Sequence, residues 1–293
     1  MDAGLVARLV AEQFPRWAGL PVRPVDLPGW DNTTYRLGDE LSVRLPNGPG
    51  YALQVAKEQR WLPVLAPRLP LAVPEPVAEG VPEPGYPYPW SIYRWLAGRP
   101  AEADRIGDLE TFAVDLAAFL RALADVDPTG GPEPGPHNGY RGAPVAVYAE
   151  ETYAALEALG PRVPGPTLAA LWEEAVGSTR PGPPVWFHGD VAVGNLLVRD
   201  GRLAAVIDFG SAGVGDPACD LAIAWTLFDG RSRAVFREAM GVDDATWARG
   251  RGWALWKALI TLAAAETDPI TRTRPRRDLE RILADVGLGS LDE

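Results

Sequence analysis

At 293 residues the chain is long for one ordinary core and suits two lobes or two modest domains. Its 47% hydrophobic and 23% charged residues exclude a disordered chain, and a formal net charge of −11 excludes the basic footprint of a nucleic-acid-binding surface. Cys219 is the only cysteine, so no intrachain disulfide forms and no oxidising compartment is implied.

The N-terminal MDAGLVARLVAEQF sets Leu5, Val6, Leu9 and Val10 at helical spacing among Asp2, Arg8 and Glu12, which predicts an amphipathic helix and not a secretory segment. Asn32-Thr33-Thr34 matches a glycosylation sequon, which carries no weight without a secretion signal. Thr33–Leu37 and Leu41–Leu45 are short β-type runs joined at Gly38-Asp39-Glu40, as in a hairpin. Residues 52–65 have helical spacing, with Pro63 expected to end or kink that helix near its C-terminus. The Pro-rich span 74–89 is expected to hold one extended piece, Pro76–Glu79, and a turn around Gly85; its PxxP-like spacing fits a stiff connection better than a partner-binding ligand. Residues 90–96, WSIYRWL, form a β-favouring run that Ala97-Gly98-Arg99-Pro100 breaks. That break divides the chain into lobes of 1–97 and 98–293.

Beyond it, helical patterns cover about 106–126, 144–158, 166–178, 231–240, 243–265 and 275–285, while 127–140 reads as a Gly- and Pro-rich loop. The most apolar of these stretches, 253–265, is too short for a bilayer and contains Lys257, so no membrane partner is expected and a cytoplasmic location is the default.

One compact β segment, 184–210, lies among the helices: PVWFHGDVAVGNLLVRDGRLAAVIDFG. Val185–Phe187, Leu196–Val198 and Leu203–Ile207 read as strands, and the turn Arg199-Asp200-Gly201-Arg202 joins the last two. Asp190, Asn195 and Asp208 therefore stand at strand ends or on short loops, where a rigid scaffold aims side chains into a cleft. Their chemistry suits phosphoryl transfer. A carboxylate and an amide carbonyl are hard oxygen ligands for the Mg²⁺ that bridges nucleotide phosphates, and a separate carboxylate orients the attacking hydroxyl. Asp190 with Asn195 five residues on reproduces an H-x-D-x-x-x-x-N catalytic loop, and Asp208-Phe209-Gly210 reproduces a D-F-G metal-binding turn. An Asp at a strand end is by itself a common turn former or helix cap; the ordered trio carries the signal. His188, with no second histidine nearby, reads as an architectural hydrogen-bonding residue.

On these residues the chain resembles the aminoglycoside phosphotransferases and their antibiotic- and metabolite-kinase relatives. The resemblance runs through GWDNTTYRL (29–37), SVRLP (42–46), EQRWL (58–62) and YRWLAG (93–98), and is densest at HGDVAVGNLLV (188–198) and VIDFGSAGVGDPACDLA (206–222). It implies an α+β, bilobal, protein-kinase-like fold: a small N-terminal lobe with an antiparallel sheet and a larger, mainly helical C-terminal lobe that binds the acceptor. It also implies Asp190 as catalytic base, Asn195 and Asp208 on Mg²⁺, and Asp220 as the buried brace of the catalytic loop, with a helix N-cap at Leu221 as its local alternative. Arg44 stands where familiar members have a strand lysine, with Glu58 as its ion-pair partner; a surface strand residue and an exposed helix Glu are the plain alternatives. Asn32, Thr33 and Thr34 are candidates for the loop over the nucleotide, though a hairpin turn reads the same. Arg94, Trp95 and Leu96 are candidates for the strand that meets adenine. Val191-Ala192-Val193-Gly194 departs from the family's usual spacer, and no G-x-G-x-x-G or Walker A pattern occurs.

The expected function is ATP- and Mg²⁺-dependent phosphorylation of a small hydroxylated molecule, such as an aminoglycoside-like antibiotic. The alternatives are a metabolite kinase for a sugar, amino alcohol or choline-like compound, a metal phosphohydrolase using His188, Asp190 and Asp208, and a nucleotide-binding pseudokinase. Acceptor contacts are expected from 140–160 and from the helices after Asp208. Acidic candidates are Glu150, Glu151, Asp229, Glu238, Asp243 and Asp244; Trp225, Phe228, Trp253 and Trp256 would wall a neutral acceptor or fill a core. Oligomeric state is not legible.

Overall fold

The computed structural model describes residues 1–25, 29, 31–265 and 269–288, without the side chains of 269–272. Helix α1 (Ala3–Gln13) is capped by Asp2, whose carboxylate accepts the Leu5 N–H at 2.9 Å, and it buries Val6, Leu9 and Val10. Those three residues pack into a core with Tyr35, Leu37, Leu41, Val43, Leu45, Trp90 and Ile92 of a five-stranded antiparallel sheet. The strands are β1 (Val22–Pro24), β2 (Asn32–Leu37), β3 (Leu41–Pro46), β4 (Pro76–Gly80) and β5 (Trp90–Arg94), in the order β1-β2-β3-β5-β4.

Between β3 and β4 runs helix α2 (Pro49–Leu65). It starts three residues before its predicted span because proline suits the first helical turn, where its missing N–H is no loss. Pro63 falls in its last turn. Two of its residues, Leu62 and Leu65, belong to the large core of the second lobe, so α2 joins the lobes as well as flanking the sheet. On the same helix Trp61 meets Trp186 edge-on, with ring centroids 4.9 Å apart.

The second lobe is mainly helical. Helices α3 (Leu109–Ala124), α4 (Ala149–Leu159), α5 (Gly165–Gly177), α6 (Ile223–Thr226), α7 (Gly230–Met240), α8 (Asp244–Ala264) and α9 (Pro269–Asp285) follow β5 in chain order. Every predicted helical run has a helix, shifted by a few residues at its ends. The run 144–158 opens as a 3₁₀ turn, Val145–Tyr148, and the run 275–285 lies inside the longer α9. Helix α8 is buried on most sides, between α4, α5 and α9, which suits its apolar sequence. Among the described residues no helix is long and apolar enough to cross a membrane.

Three short antiparallel pairings insert into this helical body. Strand β6 (Arg99–Pro100) pairs with β8 (Leu196–Arg199), β8 with β9 (Arg202–Val206), and β7 (Val185–Phe187) with β10 (Gly213–Gly215). The β8–β9 turn places Asp200 at φ 52° and Gly201 at φ 78°, the left-handed pair a two-residue hairpin demands. β1, β6 and β10 lack a strand pattern of their own: two carry proline, one is Gly-Val-Gly, and each exists through pairing with a distant partner.

Candidate active site

Strand β7 delivers the chain to His188-Gly189-Asp190, and every link of that segment is held. The buried carboxylate of Asp220 accepts the backbone N–H groups of His188 at 2.8 Å and Gly189 at 2.7 Å. Its burial pushes its carboxyl above the ordinary range, against the two hydrogen bonds. Asp220 is not a helix N-cap: Asp216 caps the 3₁₀ turn Pro217–Ala222 by accepting the Ala218 N–H, and Asp220 sits inside that turn facing the loop. His188 is fully buried; its Nε2 donates to the Ile207 carbonyl at 3.0 Å and its Nδ1 accepts the Asp190 N–H at 3.2 Å. With both ring nitrogens engaged it is unavailable as a metal ligand, which removes the ligand set expected for a phosphohydrolase. Gly189 has φ 84°, and a Cβ there would lie 2.5 Å from the Ser211 carbonyl oxygen, so the turn requires glycine.

Asp190 emerges exposed at the end of this braced segment. The Asn195 amide donates to its carbonyl at 2.9 Å and to Oδ2 at 2.8 Å, fixing the carboxylate while the Asn195 side-chain oxygen faces away from that contact. The Asn195 carbonyl in turn accepts the Ile207 N–H at 2.8 Å, tying this loop to the strand that leads into Asp208.

Asp208 has φ 67° and ψ 69°, a left-handed conformation that costs about 1–3 kcal/mol in a non-glycine residue and concentrates at functional sites. Its Oδ1 accepts from Arg44 at 2.9 Å, and Arg44 also reaches Glu58 at 3.3 Å. Glu58, buried on α2, accepts a second bond from the Tyr93 hydroxyl at 2.6 Å. Arg44 is thus a fork between two carboxylates at the lobe junction, not a surface strand residue, and Glu58 is not an exposed helix Glu. Burial would raise the Asp208 carboxyl, but the Arg44 charge and hydrogen bond outweigh it and hold it below its ordinary value. Asp31, which spacing alone did not single out, belongs to the same cleft. Burial first, then the charges of Asp208 and Asp190, push its carboxyl up. Among the described residues no three acidic, histidine or cysteine side chains gather closely enough to hold a metal by themselves, and the Asp208 carboxylate and the Asn195 amide are the hard oxygen donors that fit a divalent cation shared with a phosphate.

The other expected residues are placed differently. Asn32, Thr33 and Thr34 lie in β2, opposite Pro46, Leu45 and Arg44, and not in a loop; the Thr33 hydroxyl donates to the Asn47 side-chain oxygen at 2.7 Å. Trp30, next to them, lies outside the described residues. Backbone N–H groups of Arg94 and Trp95 are engaged by the carbonyls of Glu75 at 3.0 Å and Glu40 at 2.7 Å, so among the described residues Leu96 is the one of that trio left to offer an N–H. The Arg94 side chain pairs with Glu75, and the Trp95 ring carries the Arg36 guanidinium 4.0 Å from its centroid.

Of the acidic acceptor candidates, Asp243 caps α8 by accepting the Thr246 N–H, Asp244 pairs with Arg237, and Asp229 lies 3.6 Å from Arg281. Glu151 accepts from Trp256 at 3.0 Å. The rings of Trp225, Phe228, Trp253 and Trp256 are buried in the core, so they do not form an open apolar wall. Lys57, His137 and Arg141 also reach the site and were missed, because their partners stand tens of residues away in the chain. Lys57 donates to the Gly210 carbonyl and to His137; burial lowers it to about 8, opposed by Glu58 and Asp208.

A sequence profile described as the phosphotransferase enzyme family matches residues 22–253. An aminoglycoside 3'-phosphotransferase from Escherichia coli is 41% identical over 46 residues, a stretch of 16% of this chain and only 17% of that relative's length. Among solved structures, the GDP complex of wild-type aminoglycoside 2'-phosphotransferase-IIIa superposes with a TM-score of 0.75 at 19% identity, covering 98% of this chain and all of that one. Macrolide 2'-phosphotransferase MphH from Brachybacterium faecium superposes at 0.63 and 23% identity, covering 95% and 97% of the two chains. The fold is that of these bilobal, protein-kinase-like enzymes, and the chain belongs to the phosphotransferase enzyme family.

Proposed function

We propose that this protein is a small-molecule kinase that transfers the γ-phosphoryl group of ATP to a hydroxyl of its acceptor. The observation that carries this reading is the exposed Asp190 carboxylate, pinned at Oδ2 by the Asn195 amide and braced from behind by Asp220 and His188. A carboxylate so fixed can accept or orient the proton of an attacking hydroxyl without reorganising. Residues 1–97 are the nucleotide-binding lobe in this reading, and 98–293 the catalytic and acceptor lobe. Arg44, set by Glu58, brings fixed positive charge to the side of the cleft where phosphates would lie, and Leu96 offers its N–H to the base. Asn195 and Asp208 would hold Mg²⁺, which when bound neutralises charge on the nucleotide phosphates.

The acceptor in this reading is cationic. The net charge of −11 draws cations, Glu150 and Glu151 stand exposed at the start of α4, and the four aromatic residues that would wall a neutral acceptor are core residues. ADP release is to be measured with Mg-ATP against aminoglycosides, basic cyclic peptides, macrolides, choline and simple sugars, at low and high salt. The expected result is turnover with cationic acceptors, at a KM that rises as salt screens the attraction over a Debye length of about 8–10 Å. Asp190→Ala should lower kcat about 10²–10⁴-fold, the scale of general acid–base catalysis, and leave nucleotide binding nearly unchanged. Half the activity surviving in that variant would remove Asp190 from the role of base, and turnover confined to neutral acceptors would remove the cationic one.

A further inference from the structure

Residues 132–142 contain three glycines and three prolines, a composition that reads as a plain connecting loop. In the fold they touch most of the parts that make up the site. Toward the N-terminal lobe, His137 Nε2 donates to the Glu133 carbonyl at 2.9 Å, which leaves Nδ1 to accept from Lys57 at 3.2 Å. Lys57 directly precedes Glu58 on α2, and its ammonium also donates to the carbonyl of Gly210 in the D-F-G turn. Toward the catalytic loop, Arg141 Nε donates to the Gly189 carbonyl at 3.1 Å, immediately before Asp190. The Arg141 guanidinium lies 4.9 Å from the Trp256 ring centroid, 5.2 Å from Trp253 and 5.8 Å from Tyr148, and donates to the Tyr148 hydroxyl at 3.3 Å.

The segment between these two contacts is stiff. Buried Asn138 accepts the Gly135 N–H at 3.0 Å and donates to the Arg141 carbonyl at 3.3 Å. Gly139 and Tyr140 both have left-handed φ, 57° and 54°, and the Arg141 N–H closes their turn on the Asn138 carbonyl at 3.2 Å. Tyr140 thus occupies a position where glycine is the ordinary residue, a strain the surroundings must hold. At the two ends, Pro132 and Gly142 carbonyls accept from Val214 and Asp216, each at 2.8 Å. Gly142 has φ 84°, and a Cβ there would lie 2.1 Å from the Phe187 ring.

We propose that residues 132–142 are a coupling element that sets the position of Asp190 by the position of α2, with Lys57–His137 as its contact to α2 and Arg141–Gly189 as its contact to the catalytic loop. Lys57, His137 and Arg141 are then positioning residues. Arg44 and Glu58 align only if α2 is seated, and the same seating, read through the segment, aligns Asp190. Such coupling would let one helix set both halves of the site. The inference rests on the phosphotransferase reading for its meaning, but its test does not rest on turnover alone.

The experiment is a double-mutant cycle on the full chain with Lys57→Met and Arg141→Met, whose side chains do not touch. Each is expected to lower kcat about tenfold, the scale of one hydrogen bond to a charged group, with the acceptor KM little changed. Coupling through the segment makes the double variant fall clearly short of the product of the two losses, whereas independent sites multiply. Lys57→Arg, which keeps a donor, should retain most of the rate. Amide hydrogen exchange supplies an arm that needs no acceptor: in Lys57→Met the backbone of residues 187–195 should exchange faster than in the parent. His137→Phe removes the same contact from the other side and replaces Lys57→Met where that variant fails to fold. Multiplying losses, an unchanged kcat in Lys57→Met, or unaltered exchange at 187–195 would each overturn the coupling. A parent protein that turns over no acceptor would instead reject the phosphotransferase reading, with the exchange result still deciding the coupling.

Discussion

Arg44 shows how much a single side chain can be asked to do here. It stands on β3 with 15% of its side chain exposed and holds Asp208 with one nitrogen and Glu58 with another. Burial alone would weaken its charge, but the two carboxylates more than compensate, so it stays protonated at any working pH. Arg44→Met would leave two carboxylates facing each other at the lobe junction. The expected loss is about 3–5 kcal/mol of stability, the scale for breaking a buried pair from one side, read from urea unfolding midpoints. Arg44→Lys should lose less stability than Arg44→Met but still raise the nucleotide KM, because an ammonium is a point and not a fork. Indistinguishable unfolding midpoints in Arg44→Met and the parent would mean that the pair contributes nothing. The resemblance to the aminoglycoside phosphotransferases, and not a spacing rule, placed Arg44 with Glu58 and Asp220 with the catalytic loop. The sequence could not show that Asp31 joins Asp208 and Asp190, because no spacing rule connects a β2 approach to a strand end more than 150 residues away.

Helix α9 carries a different kind of signal. Asp278 is buried at 7% exposure among Arg274, Arg277 and Arg281, and among the described residues its Oδ1 has no hydrogen-bond partner. Burial pushes its carboxyl up to about 6 from the ordinary 3.8, the three arginines opposing. A carboxyl raised on folding binds more protons in the native state between those values. Stability therefore falls as pH rises from 3.8 to about 6, and the cost is complete above that window. The shift corresponds to about 3 kcal/mol. Asp278→Asn removes the ionisation, so it should be more stable than the parent near pH ~8 and close to it near pH ~4, by denaturant melts. A parent and variant with parallel stability profiles would refute this. At the scale of elements the helices were legible, because an apolar face at helical period is written locally. The strands β6 and β10 were not, since a Arg-Pro pair and a Gly-Val-Gly triplet become strands only when β8 and β7 arrive beside them. Of the nucleotide-loop candidates, Thr33 and Thr34 were already legible as the start of a strand, and pairing with β3 extends β2 back to Asn32, which reads locally as a turn residue.

In the whole molecule, α2 belongs to both lobes: Glu58 meets a strand of the sheet, while Leu62 and Leu65 sit in the helical core. A helix shared this way makes rigid separation of the lobes costly, so opening of the cleft must involve α2 itself or the segments on either side of it. The edge-on contact of Trp61 on α2 with Trp186 on β7, 4.9 Å between centroids, crosses that junction. Two indoles this close couple their electronic transitions, and the resulting circular-dichroism couplet depends on their mutual angle. The pairs Trp225–Trp247 and Trp253–Trp256 lie within the helical lobe and contribute a fixed background. Subtracting the spectrum of Trp61→Phe isolates the junction. Addition of Mg-ATP should then change the Trp61–Trp186 couplet if the lobes close by moving α2, and leave it unchanged if α2 stays seated while the sheet moves over it. The protein thus carries its own optical goniometer at the hinge between its two halves.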